Sequence, residues 1–376
     1  MKNSKKKVLE IITKSDWAGA QKIVYDICDG MKTHYENEID IEVATGSEGP
    51  LIDKLKSLNV KVYILSNLVR EINPIKDLRA YFEIKKIIKR GNFDVVHCHS
   101  TKAGILGRIA AKRCGVKNII YTVHGWWAIT QYTGIKRKLA IYAEKFASKY
   151  CDKIVFLCKK ESEKAKKWKI GKENQYLVIP NSIPLLDKPS KGILRRELNL
   201  DDQVKIVGNV GRLDPPKNPI RFLKVADLVL QIRKDTIFVW IGDSNNDFYK
   251  EEIDSFFEIH RDLKSKIIFL GFRSNAPELM SDFDIFLLTS DDEGMPLVIL
   301  EAFSLGIPVV STEVGCLREM SEYGNIKLVD ISDKESEKQL ADKVLVLLNL
   351  NTKNSEVNFH QRNMIEDYFK IYTSER

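Results

Sequence analysis

Phe283-Asp-Ile-Phe-Leu-Leu288 is followed by Ser290-Asp-Asp-Glu293-Gly294-Met295-Pro296-Leu297-Val-Ile-Leu-Glu301-Ala302. The first six residues, apolar but for Asp284, read as a strand buried on both faces. Gly294 supplies a sharp turn, Pro296 suits the first position of a helix, and the apolar residues beyond it carry that helix on. A helix N-terminus directly after such a strand is an anion site, because its first N–H groups lack partners and the dipole is positive there. Glu293 stands at its mouth. Glu301 is expected about two turns deeper, on the order of 10 Å away at ~1.5 Å per residue. Two carboxylates so placed suit hydroxyls at both ends of an elongated ligand, with a phosphate between them.

Working outward, strand and helix alternate in two series. The first half offers strands near 7–13, 39–45, 60–65, 93–97, 118–123 and 153–157, with helices near 18–33, 74–90, 101–114 and 134–150. The second offers strands near 204–210, 236–241, 266–270, 283–288 and 307–311, with helices near 218–233, 296–305 and 334–350. A last amphipathic helix is expected over 360–374. The α/β alternation and the length of 376 residues imply two doubly wound Rossmann-like domains, 1–183 and 204–359, joined by a Pro-containing connector over 184–203. In such sheets the loops at the carboxyl ends of the strands carry the chemistry.

Apolar content of 44% and charged content of 30% exclude a disordered chain, and no apolar run reaches membrane-spanning length. Strand 8–13 follows the basic N-terminus at once, so a cytoplasmic protein is expected. The net charge of +8 is unevenly spread. Residues 1–180 carry 35 Lys and Arg against 19 Asp and Glu, whereas residues 181–376 carry 25 against 33. Between Lys102 and Lys172 lie 18 basic and 4 acidic residues. Solvated helix faces account for this equally well as a surface turned to anionic lipid or a polyanion. No nucleic-acid module accompanies the charge, so nucleic acid is not expected as a partner.

By the carboxyl-end criterion, Gly211-Arg212-Leu-Asp-Pro-Pro-Lys217-Asn218 is a second site loop. Arg212 and Lys217 suit a diphosphate, one as a fork and one as a point charge. His124, at the end of strand 118–123 and before Gly125-Trp126-Trp127, is placed to hydrogen-bond a substrate hydroxyl or orient a reacting group. The first strand–helix turn, Lys14-Ser-Asp-Trp-Ala-Gly19-Ala20, resembles a phosphate-approach loop without Gly-x-Gly-x-x-Gly, which weakens a nicotinamide-dinucleotide reading. His97-Cys98-His99 looks like a metal set. On a strand, however, its two His side chains share one face and Cys98 takes the other, so a structural role is expected. Asp282-Phe-Asp284 imitates a metal-binding Asp-x-Asp but opens a strand instead of closing one, and it too reads as structural. No metal and no cofactor are expected.

Together these residues resemble family-4 glycosyltransferases, retaining enzymes of GT-B architecture. Glu293-Gly-Met-Pro-Leu-Val-Ile-Leu-Glu301 is similar to the family's Glu-x7-Glu motif. Asn209-Val-Gly-Arg212-Leu with Lys217-Asn218, Val239-Trp-Ile-Gly242-Asp243, Phe269-Leu-Gly271-Phe272, Ile179-Pro-Asn181, Thr122-Val-His124-Gly125 and the turn around Gly19 follow in family order. Departures are Ala18 and Gln21 in that turn, Asn181-Ser182-Ile183, and Gly242-Asp243-Ser244-Asn245.

The resemblance implies two facing domains with a cleft between them, a nucleotide-sugar donor held by the second, and the last helix crossing back to the first. Arg212 and Lys217 would neutralise the diphosphate, helped by backbone amides near Met295 to Leu297, and Gly294 and Pro296 would line the same donor site. Glu293 would hold the sugar and Glu301 the ribose. Gly271, Phe272 and Arg273 would lie near the base, Gly19 near the phosphates, and His124 near the reacting carbon. Trp126, Trp127 and Asn181 would be acceptor-side. The expected reaction is retaining sugar transfer to a lipid-linked saccharide in capsule, exopolysaccharide or O-antigen synthesis, at the inner face of the plasma membrane. A GT-B nucleotide-sugar epimerase and a non-catalytic nucleotide-sugar-binding relative are the alternatives.

Overall fold

The apolar runs become parallel strands buried on both faces. The computed structural model describes residues 5–184, 191–243, 248–350 and 361–374. They divide into two units, one running to Asn181 and taking in the helix from Gln361, the other beginning at Ser182.

The first unit holds strands β1 (Lys6–Ile12), β2 (Ile39–Thr45), β3 (Lys61–Ile64), β4 (Val95–His99), β5 (Asn118–Val123), β6 (Lys153–Phe156) and β7 (Tyr176–Val178), in the order β3-β2-β1-β4-β5-β6-β7. Its helices are α1 (Gly19–His34), α2 (Pro50–Ser57), α3 (Pro74–Gly91), α4 (Thr101–Arg113), α5 (Trp127–Thr130), α6 (Gly134–Ser148) and α7 (Lys159–Trp168). The second unit holds β8 (Lys205–Val210), β9 (Thr236–Ile241), β10 (Ile267–Phe269), β11 (Ile285–Leu288), β12 (Val309–Thr312) and β13 (Ile326–Val329), in the order β10-β9-β8-β11-β12-β13. Its helices are α8 (Ile193–Glu197), α9 (Pro219–Ile232), α10 (Lys250–Ile259), α11 (Ala276–Met280), α12 (Leu297–Ser304), α13 (Leu317–Met320) and α14 (Ser336–Leu350). The last helix, α15 (Gln361–Thr373), packs against α1 and β1.

Every pairing between these strands is parallel. Right-handed crossovers place α3, α4 and α6 on one face of the first sheet and α1 and α2 on the other. Accordingly α4 contacts both α3 and α6, while α1 contacts α2 and α15. Helix starts follow local chemistry. Asn73 accepts the Lys76 N–H at 3.0 Å ahead of Pro74, and Asn218 accepts the Arg221 N–H at 3.0 Å ahead of Pro219.

Each sheet has one switch point where strand order reverses, between β1 and β4 in the first and between β8 and β11 in the second. The loops that leave the carboxyl ends of these four strands are where a doubly wound sheet binds ligands.

The sequence reading missed short elements, among them α2, α7, α10, β7 and β13. It also treated 184–203 as connector. Residues 185–190 lie outside the described residues, but α8 forms within the rest of that stretch. Asp282 holds it there, accepting from the N–H of Gly192 at 2.5 Å and of Leu194 at 2.8 Å. Ser244 and Asn245 also lie outside the described residues. None of the described helices is long and apolar enough to cross a membrane.

Candidate active site

In the second unit the loops after β8 and β11 are stitched together by polar side chains. Lys217 Nζ lies 2.6 Å from Glu293 Oε1, and the Ser290 hydroxyl donates to the same oxygen at 2.6 Å. Asn218 Nδ2 donates to Asp291 at 2.9 Å, and Arg221 donates to Asp291 at 2.6 Å and to the Thr289 carbonyl at 2.8 Å. The Asp291 N–H reaches the Pro216 carbonyl at 2.8 Å. Arg212 pairs with Asp214 at 2.7 Å, its side chain 45% exposed. The switch point therefore brings Lys217 and Glu293 into contact, although they stand 76 residues apart.

Three local expectations are corrected. Pro296 is the N-cap of α12, in extended conformation, and the helix starts at Leu297. Within Glu293–Glu301 only the last five residues are helical, so Glu301 lies about one turn into the helix, ~6 Å along its axis, instead of two. Glu301 is buried, and the side chains of Met295 and Leu297 are buried too, so these last two present only backbone to a ligand. Gly294 bends the chain without a left-handed φ. The glycine that sets this loop is Gly315, with φ 51°. A Cβ there would lie 2.3 Å from the Glu293 carbonyl oxygen and 2.4 Å from that of Gly294. The Cys316 N–H completes the clasp by donating to the Gly294 carbonyl at 2.9 Å.

At the carboxyl end of β10, Gly271 takes a left-handed φ of 67° and Phe272 is 62% exposed. Arg273 pairs with Glu197 of α8 at 2.9 Å, an engagement the sequence does not announce. Asp284 bonds Lys205 and the Ile206 N–H, and with Asp282 it is structural. A cavity of about 440 Å³ beside this pair, lined in part by Gly192, Asp282, Asp284 and Pro308, lies at the amino ends of the strands, away from the site loops.

In the first unit the switch point is buried and polar. Glu10 of β1, inside a run of Val, Leu and Ile, is fully buried. Tyr372 of α15 donates to its Oε1 at 2.5 Å, and His99 Nε2 lies 2.6 Å from its Oε2. His99 Nδ1 lies 2.8 Å from His124 Nε2. His97 Nδ1 meets the Tyr372 hydroxyl at 2.8 Å, and His97 Nε2 meets Thr122 Oγ1 at 2.7 Å. A carboxylate only accepts, so His99 carries its proton on Nε2. Its Nδ1 then accepts from His124 Nε2–H, and His124 Nδ1 is left as an acceptor. That nitrogen makes no hydrogen bond among the described residues.

Burial, reinforced by His97, lowers His99 to about 4, against the pull of Glu10. Burial, then His99 and His97, push His124 well below its ordinary value. Burial would raise Glu10, but His97 and His99 beside it outweigh that and hold it well below the usual carboxylate range. At neutral pH His124 is thus a neutral hydrogen-bonding ring. Glu10, His97 and His99 lie close enough to hold a metal, yet the ring nitrogens of both histidines are engaged by Glu10, Tyr372, Thr122 and His124. The arrangement is that of a hydrogen-bonded network.

Residues 190–364 match the model for glycosyl transferases group 1, and residues 17–185 match that for glycosyltransferase family 4. A UDP-Gal:alpha-D-GlcNAc-diphosphoundecaprenol alpha-1,3-galactosyltransferase of Escherichia coli is 32% identical over 339 residues, 85% of each chain. The chain belongs to the family-4 glycosyltransferases.

Another similar relative is the O-antigen biosynthesis glycosyltransferase WbnH of Escherichia coli, 28% identical over 86% of each chain. Anabaena HepE, solved with UDP and glucose, shares the fold with TM-score 0.75 at 20% identity, covering 97% of this chain and 94% of its own. This family-4 enzyme is a GT-B glycosyltransferase of the bacterial surface-polysaccharide type. Fold alone does not separate it from an epimerase, since a Listeria monocytogenes protein described as a candidate UDP-N-acetylglucosamine 2-epimerase shares it at TM-score 0.64 and 15% identity; the sequence relatives do.

Among the residues assigned to the acceptor side, Trp126 is a core residue. Its ring is buried, meets Trp168 edge-on at 5.4 Å, and its Nε1 donates to the Glu161 carbonyl at 3.2 Å. Asn181 is buried as well, and Trp127 is half-buried at the start of α5. Gly19 is exposed at the start of α1, and a Cβ there would meet nothing within 4 Å. Glu10 and Gly315 were not singled out from sequence. A lone acid inside an apolar strand was the available signal for Glu10.

Proposed function

We propose that this glycosyltransferase moves a hexose from a UDP-sugar to a saccharide carried on a lipid diphosphate, with retention of anomeric configuration. The observation that carries the donor half is the Lys217–Glu293 contact at the β8/β11 switch point, beside the start of α12. A diphosphate arriving there offers Lys217 a stronger anionic partner. Released from the lysine, Glu293 can accept hydrogen bonds from sugar hydroxyls. Until then the pair keeps the carboxylate from repelling the donor. Lys217, Arg212 and the first N–H groups of α12 would stabilise charge developing on the departing nucleotide diphosphate. Phe272 offers an exposed ring to the base, and Glu301 is assigned to the ribose.

His124 takes the role of acceptor for a hydroxyl of the transferred sugar. Its neutral, Nε2-protonated ring leaves Nδ1 as the accepting atom. The acceptor class is supported by the relatives: the E. coli enzyme above is named for a diphosphoundecaprenol-linked sugar, as is an N-acetylgalactosaminyltransferase of Campylobacter jejuni at 24% identity. We assign the enzyme to the cytoplasmic face of the membrane as a peripheral protein, without a metal requirement.

Thermal shift against UDP-, GDP-, ADP- and dTDP-sugars tests the donor assignment, because a ligand that binds only the folded state raises its apparent stability. Stabilisation by a UDP-sugar in the wild type, lost in Lys217→Ala, is expected. Stabilisation that survives in Lys217→Ala would place the donor elsewhere. Product analysis with a short-chain diphospho-GlcNAc acceptor and EDTA-treated enzyme tests the acceptor, the retained configuration and the absence of a metal requirement.

A further inference from the structure

Two helices of the first unit expose large apolar side chains in stripes. On α6 these are Ile135, Leu139, Tyr142 and Phe146, spaced so that they fall on one face of the helix. On and just before α3 they are Ile72, Ile75, Leu78 and Phe82, with the same kind of spacing. Exposure across the eight runs from 41% for Phe146 to 84% for Ile72. A soluble helix packed on a sheet turns such a stripe inward; here the inward faces are already filled by other residues, Ala80, Ile84 and Ile88 on α3 and Ala147 on α6. Both helices flank α4 in the same layer, so the stripes belong to one side of the unit.

The charges around these stripes are predominantly positive, with Glu71 beside Ile72 the exposed exception. The exposed charged residues of α3 are Lys76, Arg79, Lys86, Lys89 and Arg90, and those of α6 are Lys136, Arg137 and Lys138, with Lys149 directly after it. The acids on these helices are turned away or engaged. Asp77 pairs with Lys102 at 2.6 Å, Glu83 accepts from Asn67 at 2.5 Å, and Glu144 is buried against Arg108 at 2.7 Å.

We infer that the α3–α6 side of the first unit is a docking surface for an anionic lipid bilayer, with the two stripes entering the interface and the cations meeting the headgroups. Apolar residues backed by an excess of exposed Lys and Arg are what such a surface requires. A second copy of this chain is a poorer occupant, since a two-fold contact would set cations against cations. The inference rests on the proposed lipid-linked acceptor, and it names the surface that brings the enzyme to it.

Sedimentation of the full chain with vesicles of phosphatidylglycerol and phosphatidylethanolamine, against vesicles of phosphatidylcholine alone, tests it. Salt-sensitive binding to the anionic vesicles only is expected. Lys136→Glu/Lys138→Glu should weaken it at least about 25-fold, roughly fivefold per lost cation, and Leu139→Ser/Tyr142→Ser at least about tenfold through lost apolar insertion. Val346→Ser, which removes an exposed apolar residue of the second unit, should leave it unchanged. All variants should transfer sugar to a water-soluble acceptor at the wild-type rate, which separates docking from catalysis. Wild type that ignores anionic vesicles, or stripe variants that bind as wild type does, would overturn the inference even if transfer to the soluble acceptor proceeds. A concentration-dependent dimer abolished by Leu139→Ser would overturn it in favour of self-association. Failure of all transfer, with vesicle binding intact, would count against the functional reading and not against the surface.

Discussion

The two switch points of this enzyme hold polar groups in opposite ways. In the first unit Glu10, His97, His99 and Tyr372 are buried and bonded to one another beneath His124. In the second, Lys217 and Glu293 sit on loops, their side chains 19% and 10% exposed. A buried set is expensive to break, because each orphaned group keeps its desolvation penalty. A partly wet pair between loops can exchange partners. On the function proposed above, the contrast separates a group that holds one orientation through the reaction from groups that change partners when the donor arrives.

The sharpest way to break this comparison is to substitute across it. Lys217→Ala should lower kcat by about 10²–10³, the usual loss for one charge-stabilising donor, while changing stability by only about 1 kcal/mol. Glu10→Gln should do the reverse at the fold level, costing about 1–3 kcal/mol per orphaned donor, because its amide NH2 meets a donor where the carboxylate accepted. Steady-state kinetics beside urea denaturation checks both. Equal stability losses in the two variants would erase the distinction between the switch points.

A second test uses pH. His99 is lowered to about 4 in the folded protein, so its contribution to stability is fully present above its ordinary value near 6.5 and is lost as pH falls from there toward 4. His124 is shifted in the same direction and adds in the same window. Glu10, held low, adds a further loss only below about pH 4.5. His99 itself faces Glu10, His97 and His124, and behind these Thr122 and Tyr372 meet His97, Tyr368 meets Thr122, and the Cys28 thiol lies close to Glu10. Hydrogen exchange of β4 amides should show about 2 kcal/mol less protection at pH 5 than at pH 7, from His99 alone. His99→Gln should flatten that part. A flat wild-type profile would mean the rings are wet or already charged at neutral pH.

The sequence made one switch point far more legible than the other. Strand–turn–helix punctuation, with Gly294 and Pro296 and two cations before Asn218, exposes the second site because loop chemistry is written locally. The Glu10 network draws on β1, β4, β5 and α15, and Tyr372 joins it from 362 residues away in the chain. No local pattern announces that pairing. His97-Cys98-His99 was visible, and its face assignment followed from strand alternation, but its partners did not. The apolar stripe of α6 was equally present in the sequence, yet periodicity alone cannot tell a stripe that enters a core from one that meets solvent. Arg273 and Arg212 looked like free cations because their partners, Glu197 and Asp214, carry no motif.

The smallest expected effect sharpens the account of the second site. Gly315 lies on the loop after β12, outside the motif that contains Glu293, and is itself assigned no ligand contact. Its left-handed φ and the 2.3 Å approach to the Glu293 carbonyl leave no room for a side chain. Gly315→Ala must either strain its own backbone, at about 1–3 kcal/mol, or push the Glu293–Gly294 peptide away. In the first case stability falls and donor affinity holds. In the second, the Glu293 carboxylate moves off Lys217, and KM for the nucleotide-sugar rises several-fold while the melting temperature barely changes. We expect the second, because the loop carrying Glu293 is held to its neighbours by exchangeable polar contacts, whereas Cys316 and Leu317 behind Gly315 are buried in the core. A fall in melting temperature with unchanged KM would show instead that this loop is as rigid as the buried network of the first unit.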